Sequence, residues 1–278
     1  MPRDSYLDAI VAAHRARSAG DRRDLGLLVA QAQDSSPPRG FARSLAGRNE
    51  GLSVIAEVKR RSPSRGALAL DLDPGALARS YAAGGAAALS VLTDEDHFGA
   101  HPGDLAAARA GAGLPVLRKD FTVSEADVCD ARLMGADAVL LIVAALSDDE
   151  VGRFAALAGR LSLDALVEVH DEAELERALD AGATLVGVNQ RDLTTFEVDP
   201  HRAGRLAAAI PDEVVAVAES GIRGPDDARR LADAGYDAVL VGESLVTASD
   251  PRAAVAALAG HPRPDRRPSG GRQASGRG

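Results

Sequence analysis

Short apolar runs ending in charged or amide residues recur along the whole chain. Glu57 and Lys59 close I-A-E-V-K, Lys119 closes V-L-R-K, and Glu168 closes L-V-E-V. Further on, Asn189 closes V-G-V-N, Glu219 and Ser220 close V-A-E-S, and Gly242 to Ser244 close V-L-V-G-E-S. A weak internal repeat organises these runs. Similar stretches begin at Tyr81, Ala131, Ala178 and Leu231, and each reads as a helix end, a glycine suited to a left-handed C-cap, and a buried strand. Between them the pattern predicts strands at Ser53–Lys59, Pro115–Lys119, Ala165–Val169 and Val214–Ala218. The total is eight strands alternating with helical segments, as in a (β/α)8 barrel, where catalytic residues gather at the C-terminal ends of the strands.

The intervening segments carry helix-start chemistry. Ser147-Asp148-Asp149-Glu150 reads as a capping box, Asp171 to Glu174 sets acids in a first turn, and Pro225 stands at an early helical position. Residues 1–51 precede the barrel as an N-terminal extension, with one helix over Tyr6–Ala19 and a shorter one over Leu25–Ala32, broken by Pro37-Pro38. The barrel occupies 52–260. The tail 261–278, rich in Pro, Gly, Ser and Arg without apolar period, is expected to be disordered.

Composition narrows the class. No apolar run approaches the roughly 20 residues needed to span a bilayer, and the N-terminus lacks the apolar segment of a signal peptide. A single cysteine, Cys129, excludes an internal disulfide framework and fits a reducing, cytoplasmic setting. The net charge of −9 argues against a nucleic-acid surface.

The candidate chemistry lies at the strand ends. Period-two alternation puts Glu57 with Lys59, and Asn189 with Arg191, on the side facing the barrel mouth. An ion-pair network holding the strands together is the alternative, but several buried charges carry large desolvation costs. The loops after strands seven and eight, Ser220-Gly221-Ile222-Arg223-Gly224 and Gly242-Glu243-Ser244, suit a phosphate held by backbone N–H groups. Ser62-Pro63-Ser64-Arg65-Gly66 is a basic loop able to close over an anionic substrate or simply to lie in solvent. His97 and His101 have zinc-like spacing, but Phe98-Gly99-Ala100 and Pro102 argue against a helix there, so no metal site is expected. His170 reads as a loop residue.

Together these motifs resemble the indole-3-glycerol-phosphate synthase family of tryptophan biosynthesis. The resemblance is carried by Ala56–Gly66 (A-E-V-K-R-R-S-P-S-R-G), Leu117–Phe121 (L-R-K-D-F), Leu166–His170 (L-V-E-V-H), Val186–Phe196 (V-G-V-N-Q-R-D-L-T-T-F) and Ala218–Ile222 (A-E-S-G-I). It implies a TIM barrel with an N-terminal helical extension over the catalytic face. It also implies ring closure of 1-(2-carboxyphenylamino)-1-deoxyribulose 5-phosphate to indole-3-glycerol phosphate, with release of carbon dioxide and water.

The family's pattern implies Lys119 as the acid for ring closure, Lys59 and Glu57 beside it, and Glu168 in the later proton transfers. Asn189, Glu219 and Ser220 would hydrogen-bond substrate. Gly221, Gly242 and Ser244 would hold its phosphate, with Arg191 and Ser62 as further polar contacts. A lowered Lys119 pKa would help the acid role; burial and Lys59 favour it, while Glu57 and Glu168 oppose it. No cofactor, metal, nucleic acid or membrane partner is implied, and a monomer or weak homo-oligomer is expected. Three departures stand out: Gln190 where a second Asn is common, no Pro-Tyr within Thr122–Ala126, and Ala100 in place of a frequent Ser. A sugar-phosphate isomerase is the competing enzyme, but would want a carboxylate or Asp/Cys pair where this chain offers lysines. A barrel that binds a phosphorylated ligand without turnover is the non-enzymatic alternative.

Overall fold

The computed structural model describes residues 6–46 and 51–263; most of the expected tail, 264–278, lies outside them. Eight parallel strands close into a barrel: β1 Ser53–Val58, β2 Ala88–Leu92, β3 Val116–Lys119, β4 Ala138–Ile142, β5 Asp164–Val169, β6 Leu185–Asn189, β7 Val215–Glu219 and β8 Ala238–Val241. Each pairs with its sequence neighbours, and β1 pairs with β8 to complete the ring. The eight-strand reading of the apolar pattern is thus the observed fold.

Alternation divides each strand between two cores. Val54, Ala56, Leu89, Val91, Val139, Leu141, Val186 and Val188 face the surrounding helices. Ile55, Leu117, Leu140, Leu166, Leu185, Val217 and Leu240 fill the barrel interior. Continuing the interior columns by two residues reaches Glu57, Lys119, Ile142, Glu168, Glu219 and Gly242, and on β6 the column runs from Leu185 through Gly187 to Asn189. The same pleat therefore supplies an apolar floor and a largely polar ceiling.

The helices begin where the sequence signals them. Ser147 and Glu150 form a reciprocal capping box, and Asp171 accepts from the Glu174 N–H at 2.8 Å. Gly135 and Gly235 both take left-handed φ, 88° and 96°, turning each chain from helix into strand. Two residues on, Asp137 and Asp237 repeat one device. The Asp137 Oδ2 accepts from Val116 N–H at 2.7 Å, and the Asp237 Oδ2 accepts from Ala216 N–H at 2.8 Å. Each aspartate thereby satisfies a backbone donor at the start of the neighbouring strand. Its other oxygen takes a flank of the chain: Arg39 N–H for Asp137, and the Arg263 guanidinium for Asp237.

The N-terminal extension is divided between the two ends of the barrel. Helix α1, Tyr6–Gly20, lies at the mouth, whereas α2, Leu25–Asp34, packs against Glu125–Leu133 on the flank. A third helix, α3, Phe41–Ala46, was not evident from the apolar pattern and closes the opposite end. Its Phe41 and Leu45 are fully buried in the interior core, and Asp164 accepts from the Ala42 N–H at 2.9 Å. Among the described residues, no helix is long and apolar enough to cross a membrane.

Candidate active site

The C-terminal mouth holds a cavity of about 310 Å³. All twelve positions singled out from sequence border it: Glu57, Lys59 and Ser62 from the β1 side, Lys119 from β3, Glu168 from β5, Asn189 and Arg191 from β6, Glu219, Ser220 and Gly221 from β7, and Gly242 and Ser244 from β8. Tyr6, Leu7 and Ile10 of α1 join Phe98, Phe121 and Phe196 to give it an apolar cover.

The charged centre is a connected set. Lys59 Nζ lies 2.6 Å from Glu57 Oε1. Lys119 Nζ donates to Glu168 Oε2 at 2.8 Å and stands 3.4 Å from Glu219 Oε2. Asn189 Nδ2 donates to the other Glu168 oxygen at 3.1 Å. Glu168 and Glu219 are 1% and 2% exposed, so their charges are set by the protein groups around them and not by water. Glu219 Oε1 has no hydrogen-bond partner among the described residues.

These contacts push the two buried carboxyls apart. Burial opposes ionisation of Glu168, but Lys119, His170 and Asn189 outweigh it and bring the group down to about 2. At Glu219, burial together with the charges of Glu168 and Glu57 outweighs Lys119 and pushes the carboxyl up to about 8. Burial pulls Lys119 down, yet the carboxylates of Glu168, Glu219 and Glu57 win and hold it well above the ordinary lysine value. The lowered lysine that would suit a free acid is therefore not found. These directions favour a Lys119 ammonium between an ionised Glu168 and a Glu219 that holds its proton more tightly than an ordinary carboxyl.

Two glycines make room for this arrangement. A methyl group at Gly187 would collide with Glu219 Oε1, and one at Gly242 would collide with Glu57 Oε1 and lie 3.0 Å from Lys59 Nζ.

The loops after β7 and β8 converge. Ser220 and Gly221 both take left-handed φ, 66° and 73°, an uncommon conformation for serine. Gln190, one of the departures, donates to the Ser220 carbonyl at 2.8 Å and so supports that turn. Ser244 Oγ donates to the Ile222 carbonyl at 3.0 Å, joining the two loops. Arg191 donates to Phe196 O at 3.0 Å, and its N–H donates to Asn189 Oδ1 at 3.0 Å. The basic loop after β1 folds back as a two-residue pairing of Arg61–Ser62 with Gly66–Ala67, and Arg65 Nε reaches Glu243 at 3.1 Å.

His97 lies in a one-turn helix, Glu95–Phe98, which ends at Gly99, so His101 is not on the same helix. Instead His97 and His14 of α1 both meet the buried Asp94, at 3.1 and 2.8 Å. Arg17 lies 2.9 Å from the same His14 nitrogen, so a cation already occupies that flank and the cluster reads as a pin between α1 and the barrel. His170, read from sequence as a loop residue, is 12% exposed in its side chain and sits 3.7 Å from Glu168. Its period-two position after Glu168 was the available signal.

A family model described as indole-3-glycerol phosphate synthase matches residues 7–258. A Nocardioides protein named indole-3-glycerol phosphate synthase is 54% identical, covering 92% of this chain and 98% of the relative. One from Streptomyces griseus is 50% identical over 91% and 94%, and one from Rhodococcus jostii is 47% identical over 91% and 94%. Among solved structures, thiamine phosphate pyrophosphorylase from Pyrococcus furiosus superposes with a TM-score of 0.57 at 19% identity, covering 76% of this chain and 95% of its own. That likeness is one of fold.

Proposed function

We infer the chemistry of this site from the family to which the chain belongs, that of indole-3-glycerol phosphate synthase. The protein is a decarboxylating lyase of tryptophan biosynthesis, acting on 1-(2-carboxyphenylamino)-1-deoxyribulose 5-phosphate. The observation that carries the assignment of roles is the Lys119 ammonium held between Glu168 and Glu219.

In the first step the ring carbon bearing the carboxylate attacks the ketone carbon, and negative charge gathers on the ketone oxygen. Lys119 stabilises that oxygen and gives it a proton. Because its neighbours strengthen its hold on the proton, Lys119 is the weaker acid in the free site, and Glu219, protonated at neutral pH, is the reservoir that resupplies it across 3.4 Å. Glu57 and Lys59 orient and balance the substrate carboxylate until its electrons return to the ring as carbon dioxide leaves. In the last step a proton is lost from the methylene carbon beside nitrogen and the hydroxyl leaves as water. Glu168, ionised at neutral pH, suits the base in that step. Asn189 fixes its carboxylate plane through the 3.1 Å bond.

The phosphate is held by the backbone of Gly221 and Gly242 with Ser220 and Ser244, while Ser62 and Arg191 contact it or the sugar hydroxyls. The apolar cover from α1 and the phenylalanines encloses the aromatic ring. The test is direct: purified protein, the carboxyphenylamino-deoxyribulose phosphate and indole fluorescence, with Lys119→Met alongside. Indole formation by the wild type and not by the folded variant supports both reaction and role. No product from folded wild type refutes the reading.

A further inference from the structure

Beside the base lies a largely enclosed titratable side chain with no role in the steps above. His170 follows β5 directly, two residues beyond Glu168. Its Nδ1 lies 3.0 Å from Glu174 Oε2, and the same oxygen accepts from the His170 backbone N–H at 2.7 Å. The opposite nitrogen, Nε2, is buried without a hydrogen-bond partner among the described residues and lies 3.7 Å from Glu168 Oε1. We propose that His170 is a positioning residue for Glu168, the central member of a Glu174–His170–Glu168 array that keeps the base ionised and aims its carboxylate at the substrate.

The geometry leaves few protonation states. Glu174, in the first turn of the helix Glu172–Asp180, accepts from Nδ1 and so fixes a proton there. A neutral ring would then turn the bare lone pair of Nε2 towards the carboxylate oxygens of Glu168, with no donor between them. A proton on Nε2 removes that conflict and satisfies both ends, giving an imidazolium between two carboxylates. Glu168 has the capacity to receive it, since Oε2 is taken by Lys119 and Oε1 has only the Asn189 bond. A movement of less than 1 Å would bring Nε2 to ordinary hydrogen-bond distance.

The surroundings favour the charged ring. Burial opposes protonation, but Glu174 and Glu168 outweigh it and raise the His170 pKa above its ordinary value. Arg202, on the helix after β6, works against them, and Asp192 also faces the ring from that loop. The ring charge in turn helps hold Glu168 ionised. Because Glu174 is 16% exposed in its side chain, the array also links the enclosed base to the protein surface.

This inference rests on the assignment of Glu168 as the base, and two experiments keep their failures apart. The first needs no turnover. In the full-length protein, the nitrogen NMR titration of His170 should show a pKa above about 6.5 that falls in both Glu174→Gln and Glu168→Gln. A His170 resonance unaffected by either variant overturns the array, whether or not the protein is a synthase. The second is kinetic. His170→Asn and His170→Ala should lower kcat by at least about tenfold with little change in KM. Glu174→Gln should move the alkaline fall of kcat to lower pH, and His170→Asn should remove the histidine contribution while leaving the one from Glu219. If wild-type protein turns over and His170→Asn keeps its kcat and pH profile, His170 has no part in positioning the base. A folded wild type without turnover would instead remove the role of Glu168, leaving the NMR result to decide the array.

Discussion

Glu219→Gln should stabilise this protein increasingly as pH rises, while lowering turnover. The carboxyl is buried, close to two other carboxylates, and raised from an ordinary 4.5 to about 8. Below pH 4.5 it is protonated in both folded and unfolded chains and has no effect. Between 4.5 and 8 the unfolded chain ionises first, so the native state loses stability steadily; above 8 the loss is complete. At about 1.4 kcal/mol per pH unit the full cost is at most about 5 kcal/mol. The attraction of Lys119 is already contained in that value, and about 3–4 kcal/mol between pH 5 and pH 8 is the expected figure. Glutamine is a close control, because it keeps the shape of the carboxyl and does not ionise. Urea unfolding of wild type and variant at pH 5, 6.5 and 8 measures the difference. A stability gap that widens with pH is expected; parallel pH dependences would refute the assignment of a protonated Glu219.

Other substitutions probe different layers of the molecule. Lys119→Met should lower kcat by at least about 10²-fold with an unchanged circular dichroism spectrum, since a positioned acid supplies about that much or more. Gly242→Ala places a methyl group against Glu57 and Lys59, and should cost activity out of proportion to its effect on melting temperature. Asp137→Ala strands the Val116 and Arg39 N–H groups and the Arg109 guanidinium; it should destabilise by about 3–5 kcal/mol in urea titrations while kcat of the folded fraction is preserved. Arg65→Ala breaks an exposed pair with Glu243, and should change stability by less than about 1 kcal/mol.

The barrel was legible because its information is repeated. Four helix–glycine–strand stretches and eight apolar runs each give the same answer, so an error of one or two residues at any boundary leaves the architecture intact. The site residues were legible for a related reason: period-two alternation carries an interior column upward, and polar residues at the column tops have few other uses. Helix α3 was less visible. Six residues are too few to display a helical period, and Phe41 and Leu45 make sense only once the barrel they plug exists. The Lys119 proton affinity was undecided from sequence because it depends on whether Glu168, Glu219 and Glu57 converge within a few ångströms. They do, and they outweigh burial. The contact between His14 and Asp94 was hidden for the same reason, since the two lie eighty positions apart.

Asp137 and Asp237 introduce β4 and β8, which stand opposite one another in the ring. Each clasps its neighbouring strand and one flank of the chain, Arg39 on one side and Arg263 on the other. The foot of the barrel is therefore fastened like a belt with two buckles half a turn apart, each closed by a different end of the polypeptide. Fraying from one end loosens one buckle and leaves the opposite half seated, so the reacting groups at the far end of the strands are insulated from either flank coming loose.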